Sequence, residues 1–149
     1  MHYTEQGEPL DLQLVVELSR HGERASKKIF NLTADGSQNF QVGAKELTET
    51  GAKSHHKLGH ALRQEFDALN LINTAEYSPE EVYVQSTDKE RTIRSAVAQL
   101  EGLYDRSLTW PAKNDTGFVV NHVPLKEDKL MVMSNETCKR WSQALQALS

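Results

Sequence analysis

The chain has little cysteine: Cys138 is the one thiol among its 149 residues. A single cysteine cannot form a disulfide within the chain, and no group of cysteine and histidine residues shows metal-ligand spacing. His56 and His60 stand four residues apart on a predicted helix, a spacing that can bind zinc, but no third ligand is near them. We therefore expect no metal site and no cofactor, and we interpret these histidines as part of a solvated helix face.

Long hydrophobic runs and an excess of basic charge are also missing. No apolar stretch approaches the roughly 18 residues of a membrane span, and residues 1–11 are too polar to be a signal peptide. The net charge of −4 argues against a nucleic-acid partner, which requires basic surfaces. A hydrophobic fraction of 38% in 149 residues is enough for the core of one ordinary domain.

The most informative stretch is a strand that ends in a cluster of charge. A nearly continuous apolar run from Leu12 to Leu18 predicts a central strand buried on both faces. Arg20, His21 and Arg24 follow it directly, and open α/β sheets bind ligands just past the carboxyl ends of strands. Two arginines can make paired hydrogen bonds to a phosphate, and a histidine between them can act as a nucleophile. The alternative is a loop of surface arginines with an incidental histidine.

A helix is predicted from about Thr48 to Asn70. Thr48 is a suitable N-cap, and Glu49 follows in the first turn, where the helix dipole favours an acidic side chain. Gly51 and Gly59 indicate close packing against the sheet. The inward stripe has steps of three and four residues and consists of Ala52, His55, Gly59, Leu62, Phe66 and Leu69.

A second strand, Val82–Ser86, completes a predicted right-handed βαβ unit with parallel strands. Thr87 or Asp88 should cap the next helix, which should run to about Tyr104. Its predicted inward residues are Ile93, Ala96, Val97, Leu100 and Leu103.

Arg91 falls in the first turn of that second helix. A helix N-terminus offers free N–H groups and positive potential, so an arginine there opposes the dipole unless a bound anion offsets the conflict. An ordinary surface arginine is the other interpretation.

The last part of the chain gives weaker signals. Phe118–Val123 alternates weakly and is a candidate strand, and three Asn-x-Ser/Thr triplets begin at Asn31, Asn114 and Asn135 and mildly favour a secreted protein. A helical apolar stripe reaches almost to the last residue, which suggests a chain cut inside a larger fold. Its members are Cys138, Trp141, Leu145 and Leu148.

Two blocks of the sequence resemble the histidine acid phosphatase family. Residues 20–24, Arg-His-Gly-Glu-Arg, resemble the family's RHGxR signature, and residues 86–96 resemble its STDxxRTxxSA block. Residues 47–63 are similar to its LTxxG and LGxxLR segments. The resemblance implies that His21 attacks phosphorus to form a phosphohistidine while the phosphate is bound by Arg20, Arg24 and Arg91. The chain departs from the pattern at Ser26, where the family usually has proline, and at Gln85, where it often has arginine.

The resemblance also implies a fold and a position within it. The family fold is an α/β sandwich with a mostly parallel sheet and helices on both faces, similar to phosphoglycerate mutase. In the family the catalytic acid is the aspartate of a His-Asp pair, but none of the six histidines here precedes an aspartate. We therefore expect residues 1–149 to be the N-terminal part of a single histidine phosphatase domain that lacks its acid.

Acid phosphatase chemistry on a small phosphomonoester is the function that this resemblance implies, in a secreted or lysosomal protein. Two alternative functions remain. One is a non-catalytic phosphate-binding or pseudo-phosphatase domain, and the other is a relative of phosphoglycerate mutase, a family that shares the sequence Arg-His-Gly-Glu. Arg63 and Arg94 should lie outside the phosphate cluster. An incomplete sheet would leave Val82, Val84 and the Trp141 stripe partly uncovered and would favour homo-oligomers or aggregation.

Overall fold

The computed structural model describes residues 12–27, 42–111 and 116–132, together with the helical residues 140, 143 and 146. Two helices have defined bounds within these ranges, α1 at Glu49–Leu69 and α2 at Glu90–Leu103. Several sequence predictions concern residues outside the described part of the chain. These are the three glycosylation triplets at Asn31, Asn114 and Asn135, and the stripe of Cys138, Trp141, Leu145 and Leu148.

Helix α1 begins and ends where its sequence predicts. The hydroxyl of Thr48 accepts a hydrogen bond from the N–H of Gly51 at 3.1 Å, which satisfies one of the free donors of the first turn. At the other end Asn70 takes the left-handed conformation with φ of 51°, and its N–H donates to the carbonyl of Asp67. The N-cap and the helix end predicted for this segment are both confirmed.

Helix α2 differs from its prediction at the cap and along its inner face. The N-cap is Lys89, which makes no side-chain capping bond, so the predicted cap at Thr87 or Asp88 is wrong. Leu100 and Leu103 are buried as predicted, but the predicted inward residues Ile93, Ala96 and Val97 are only half-buried. The buried residues of α2 are Ser95, Ala98, Leu100, Glu101, Gly102 and Leu103.

The two helices run side by side in the same direction and approach each other through glycine. A Cβ at Gly59 would collide with the carbonyl of Gln99, and one at Gly102 would collide with the carbonyl of His56. This contact explains the buried face of α2, because small side chains lie where the two backbones meet. The close packing predicted for Gly59 is therefore real, but its partner is α2 and not a sheet.

The larger core cluster covers the C-terminal half of α2. Leu100, Leu103 and Tyr104 are buried there, and half-buried apolar side chains from α1 and from the following segments pack against them. Tyr77 meets Tyr104 and Phe118 edge-on, with ring centroids 5.4 and 5.1 Å apart. The smaller cluster contains Leu47, Ala52 and Ala98, with Leu108 and Trp110 against it.

The predicted sheet is not formed within the described residues. The segment from Leu12 to Leu18 is predicted to be buried, but Leu14, Val16 and Leu18 are 73%, 83% and 82% exposed, so that prediction is wrong. A strand buried on both faces needs neighbours at its edges and cover on each face, and the two β-bridges of the described residues both lie elsewhere.

Residues 82–86 pair with a segment further along the chain. Gln85 bridges Asn121 in parallel, with hydrogen bonds from Ser86 N–H to the Asn121 carbonyl at 2.8 Å and from Asn121 N–H to the Val84 carbonyl at 2.9 Å. This single bridge is what the described residues show of the predicted strands at Val82–Ser86 and Phe118–Val123. Val82 and Val84 are half-buried against the larger core, and Tyr83 is 70% exposed.

Neither α1 nor α2 is long and apolar enough to cross a membrane.

Candidate functional site

Residues 19–25, hereafter the motif segment, are attached to the beginning of α1. The N–H of Thr48 donates to the carbonyl of Glu23 at 2.9 Å, and the Thr48 hydroxyl donates to the Glu23 carboxylate at 2.8 Å. Arg24 forms an antiparallel bridge with Leu47, and Ala25 N–H donates to the Glu46 carbonyl at 2.8 Å. The C-terminal half of the motif segment therefore follows the backbone that leads into α1.

Glycine is required where the motif segment crosses α1. A Cβ at Gly22 would lie 2.6 Å from the carbonyl oxygen of Gly51, and a Cβ at Gly51 would collide with the backbone of Glu23. The two backbones are in direct contact, so a side chain at either position would separate them. The close packing predicted for Gly51 is therefore with the motif segment and not with a sheet.

Helix α2 holds the other side of the motif segment through one buried serine. The N–H of Gly22 donates to Ser95 Oγ at 3.0 Å across a separation of 73 residues. The hydroxyl of Ser95 donates in turn to the carbonyl of Arg91 at 2.7 Å. Ser95 is 2% exposed. The backbone beside His21 and the helical turn that carries Arg91 therefore share one hydrogen-bonded residue.

The ring of His21 is half-buried and has a defined tautomer. Its Nδ1 lies 2.8 Å from the carbonyl oxygen of Gly22. Because a carbonyl oxygen can only accept, Nδ1 carries the hydrogen in this contact, and Nε2 of the neutral ring then keeps its lone pair. Nε2 is therefore the atom available for nucleophilic attack.

The three arginines predicted to bind phosphate lie in different surroundings. Arg20 is exposed, and Arg24 is half-buried and donates from one terminal nitrogen to the carbonyl of Ala25 at 2.9 Å. The Nε of Arg91 is buried and has no hydrogen-bond partner among the described residues. A buried guanidinium donor without an acceptor is costly, and an anion would satisfy it.

Two other arginines have partners away from the motif segment. Arg94 forms an ion pair with Glu90 along the surface of α2. Arg63 donates to the carbonyls of Thr74 at 2.6 Å and Leu103 at 3.1 Å, at the C-terminal end of α2. Twelve residues separate Arg91 from Leu103, which places Arg63 about 18 Å along the helix from the Arg91 turn. Arg63 therefore lies away from the motif segment, as the sequence predicts, and Arg94 has a carboxylate partner on its own helix.

His55 is a residue of the site that the sequence interpretation missed. It is 7% exposed, and its Nε2 lies 3.0 Å from the carbonyl oxygen of Arg20. Its Nδ1 lies 3.1 Å from Gln99 Oε1, and the amide nitrogen of Gln99 donates to Glu17 at 3.1 Å. The signal was present in the sequence, because His55 is a polar residue on the otherwise apolar stripe of α1.

The histidine pair considered for zinc has other partners. The rings of His56 and His60 meet edge-on with centroids 5.3 Å apart. His56 Nε2 lies 2.8 Å from the carbonyl of Arg106, and His60 Nε2 lies 3.5 Å from the carboxylate of Asp105. Within the part of the chain that the structure describes, no group of three or more histidine, cysteine or acidic residues could hold a metal ion.

Comparison with known proteins gives one consistent family. The model of the histidine phosphatase superfamily, branch 2, matches residues 11–148. Lysosomal acid phosphatase from Homo sapiens is 34% identical over 140 residues, which cover 89% of this chain and 31% of that protein. Prostatic acid phosphatase from Bos taurus is 29% identical over 141 residues, which cover 89% of this chain and 34% of that protein. The chain thus spans about a third of the length of these curated relatives.

A solved structure is similar as well. The phytase from Citrobacter braakii has 30% sequence identity and a TM-score of 0.50, over 73% of this chain and 28% of that one. The family match and this neighbour indicate an α/β fold of the phosphoglycerate mutase type, of which the described residues show two helices and two isolated bridges.

Proposed function

Because the chain belongs to branch 2 of the histidine phosphatase superfamily, we propose that it carries the nucleophile and phosphate-binding part of an acid phosphatase site. In this proposal His21 attacks the phosphorus of a small phosphomonoester. Arg20, Arg24 and Arg91 bind the phosphate oxygens, since guanidinium groups make paired hydrogen bonds to them. The relatives named acid phosphatases support hydrolysis over the mutase alternative.

The observation that carries the proposal is the link through Ser95. It joins the N–H of Gly22, next to the proposed nucleophile, to the carbonyl of Arg91, the proposed phosphate ligand from the second motif. The two motifs are distant in sequence, and a common structural role for them requires that they meet. The buried, unpartnered Nε of Arg91 adds a donor that an anion would satisfy.

The reaction proceeds in two displacements. The lone pair of His21 Nε2 forms a bond to phosphorus, the ester P–O bond breaks, and the leaving alkoxide takes a proton. Water then attacks the phosphohistidine, the P–N bond breaks, and inorganic phosphate leaves with Nε2 restored. The arginines neutralise the charge on the phosphoryl oxygens throughout.

Among the residues described above, we identify no acid that could donate a proton to the leaving alkoxide. Glu23 is next to His21 in sequence, but its carboxylate accepts a hydrogen bond from the Thr48 hydroxyl at the beginning of α1. No His-Asp pair occurs in the sequence. For residues 1–149 taken alone, the second candidate is a domain that binds phosphate or phosphorylated ligands without turnover.

Two further proposals rest on the relatives. We propose that residues 1–149 correspond to the N-terminal part of one histidine phosphatase domain, with a mostly parallel sheet and helices on both faces. We also propose a lysosomal or secreted location, since the names of the matching proteins include lysosomal and prostatic acid phosphatases. A shift in mass of the secreted protein after enzymatic deglycosylation, lost when the three Asn-x-Ser/Thr triplets are removed, would support that location.

The test of hydrolysis compares a nitrophenyl phosphate with an alkyl phosphate. A general acid contributes about 10²–10⁴-fold to expulsion of a poor leaving group, and a nitrophenolate needs it far less. We expect slow hydrolysis of the nitrophenyl ester, little hydrolysis of the alkyl ester, and loss of both in His21→Ala. His60→Ala, on the surface of α1, is the matched control and should keep the wild-type rate.

Two results would contradict parts of this proposal. Efficient alkyl phosphate hydrolysis would reveal an acid in these 149 residues that we have not identified. Phosphate binding with no hydrolysis of either ester would favour the non-catalytic candidate.

A further inference from the structure

His21 lies between two peptide planes, and each plane is attached to a different helix. The preceding plane carries the carbonyl of Arg20, which His55 of α1 contacts at 3.0 Å. The following plane carries the N–H of Gly22, which Ser95 of α2 holds at 3.0 Å. Because peptide units are rigid planes, fixing one on each side restricts the rotation of the residue between them. The backbone position of His21 therefore depends on His55 as directly as on Ser95.

The donor and acceptor roles around His55 follow from Gln99. Its amide nitrogen donates to the carboxylate of Glu17, so its Oε1 must face Nδ1 of His55. Turning the amide over would place two acceptor oxygens, from Gln99 and Glu17, against each other. In the structure, Nδ1 of His55 thus faces an oxygen that can only accept.

The other nitrogen of the same ring also faces a pure acceptor. Nε2 of His55 lies against the carbonyl oxygen of Arg20, which has no hydrogen to give. A neutral imidazole has one donor and would leave one of the two contacts unsatisfied, whereas the doubly protonated ring satisfies both. A buried cation of this kind needs nearby negative charge and hydrogen bonds. The carboxylate of Glu17, reached through the amide of Gln99, supplies the charge.

We propose that His55 is a positioning residue of the phosphate site: its doubly protonated ring donates to the Arg20 carbonyl and to Gln99, and so fixes the backbone that carries Arg20 and His21. This inference rests on the proposed function, since it assigns His55 a role in that same site. His55 does not touch the substrate. It acts through the peptide between Arg20 and His21.

The polar groups linked to this ring by hydrogen bonds come from residues 17–20 and from α2. Glu17 reaches it through Gln99, and Arg20 contributes its backbone carbonyl. Helix α2 contributes the neutral amide of Gln99. The neighbouring ring on α1, His56, bonds instead to the carbonyl of Arg106. The protonated ring is thus matched by the carboxylate at the far end of the Glu17–Gln99–His55 chain.

The first experiment measures orthovanadate binding by calorimetry at an acidic pH. A misplacement of reacting groups by about 1 Å costs on the order of 10²-fold, so we expect His55→Leu to weaken vanadate binding by about 10- to 100-fold. His56→Leu is the matched control, because it removes a histidine that also contacts a backbone carbonyl from the same helix. It should bind within about twofold of wild type.

A second pair of variants tests the same chain of contacts without changing the buried ring. Gln99→Met removes the acceptor for His55 at nearly constant size and should also weaken binding. Combining Glu17→Gln with Gln99→Glu reverses the direction of one hydrogen bond, because the new amide at position 17 can donate to the new carboxylate at position 99. That carboxylate still accepts from His55. The double variant should therefore recover binding that Gln99→Met loses, which a general packing defect would not do.

The ring itself is observed by ¹⁵N-edited NMR of the vanadate complex. We expect two ring N–H protons on His55, both protected from exchange with solvent. A bare ring nitrogen on His55, or equal binding by a folded His55→Leu variant, overturns the positioning role and leaves the proposed function standing. If His55→Leu does not fold, failure of the double variant to exceed Gln99→Met overturns it. Absence of vanadate binding by folded wild type removes the proposed function, and the positioning role with it.

Discussion

Among single residues, Arg91 and Arg94 differ most clearly in their hydrogen-bond partners and in the effect on anion binding that we expect from each. They lie one turn apart on α2, but Arg94 pairs with Glu90, whereas Arg91 has a buried, unpartnered Nε. A hydrogen bond from a charged donor contributes about 1.5–3 kcal/mol, so Arg91→Met should weaken vanadate binding by about one to two orders of magnitude. Arg94→Met should change it by less than about threefold. Equal losses measured by calorimetry would mean that Arg91 has no special role.

Tyr104 gives a prediction about alkaline stability. Burial, reinforced by Glu81 and Tyr77 and opposed by Arg106, raises the pKa of Tyr104 from 10.0 to about 12. The unfolded chain releases this proton near pH 10 and the folded chain keeps it, so the stabilisation is complete below pH 10 and is lost as the pH rises to about 12. The variant Tyr104→Phe should therefore lose less stability over this window than wild type.

Urea unfolding at several alkaline pH values measures that difference. At neutral pH Tyr104→Phe should be nearly as stable as wild type, because the buried hydroxyl has no hydrogen-bond partner among the described residues. Tyr83→Phe, at a position 70% exposed, is the control and should follow wild type at every pH. Parallel curves for all three proteins would show that burial of Tyr104 does not govern the alkaline loss.

The residues of the candidate site differ in how far the sequence alone predicts their surroundings. The sequence placed Arg63 and Arg94 outside the site, and both have partners elsewhere. Assignment of His21, Arg20, Arg24 and Arg91 to phosphate stays a prediction. The apolar stripe of α1 indicates that His55 is buried, but its partners, the Arg20 carbonyl and Gln99, are 35 and 44 residues away, and no local pattern encodes such contacts.

At the scale of elements, the glycine contact between α1 and α2 is directly testable. Alanine is the better helix former by about 1 kcal/mol, yet a Cβ at Gly59 would collide with the carbonyl of Gln99. Gly59→Ala should therefore lower the free energy of unfolding by about 1–3 kcal/mol, measured with urea. The exposed Lys57→Ala on the same helix should be neutral within about 0.5 kcal/mol. An increase in stability for Gly59→Ala would contradict the close approach.

The same contact explains why one helix was predicted better than the other. The bounds of α1 follow from local chemistry, a threonine N-cap and an asparagine in the left-handed conformation. The inner face of α2 was assigned from its largest apolar side chains, but it packs on α1 through Ala98 and Gly102. The buried Ser95 contacts the motif segment instead. Small residues bury themselves where backbones approach, and a search for apolar stripes does not detect that.

For the molecule as a whole, the largest difference between the sequence predictions and the structure concerns the predicted sheet. Strand pairing depends on distant partners, so the apolar run from Leu12 to Leu18 indicates only that the segment suits a buried strand. In the described residues its alternate side chains Leu14, Val16 and Leu18 are highly exposed. Exposed apolar rows of this kind promote association.

We therefore expect concentration-dependent self-association in analytical ultracentrifugation. Replacing two of these side chains together, Leu14→Gln with Val16→Thr, should increase the monomer fraction. Leu130→Gln, at a position that is 74% exposed elsewhere in the chain, is the control and should have little effect. A wild-type protein that stays monomeric over the whole concentration range would contradict this expectation.

The proposed function depends on a covalent bond between His21 and phosphorus, and trapping that bond is its strongest test. The protein is mixed with a ³²P-labelled nitrophenyl phosphate and quenched in alkali, which preserves phosphohistidine, and the labelled peptide is then sequenced. We expect label on the peptide that contains His21, none in His21→Ala, and wild-type labelling in His60→Ala. Label on another residue, or no label in a folded protein that binds vanadate, would rule out His21 as the nucleophile.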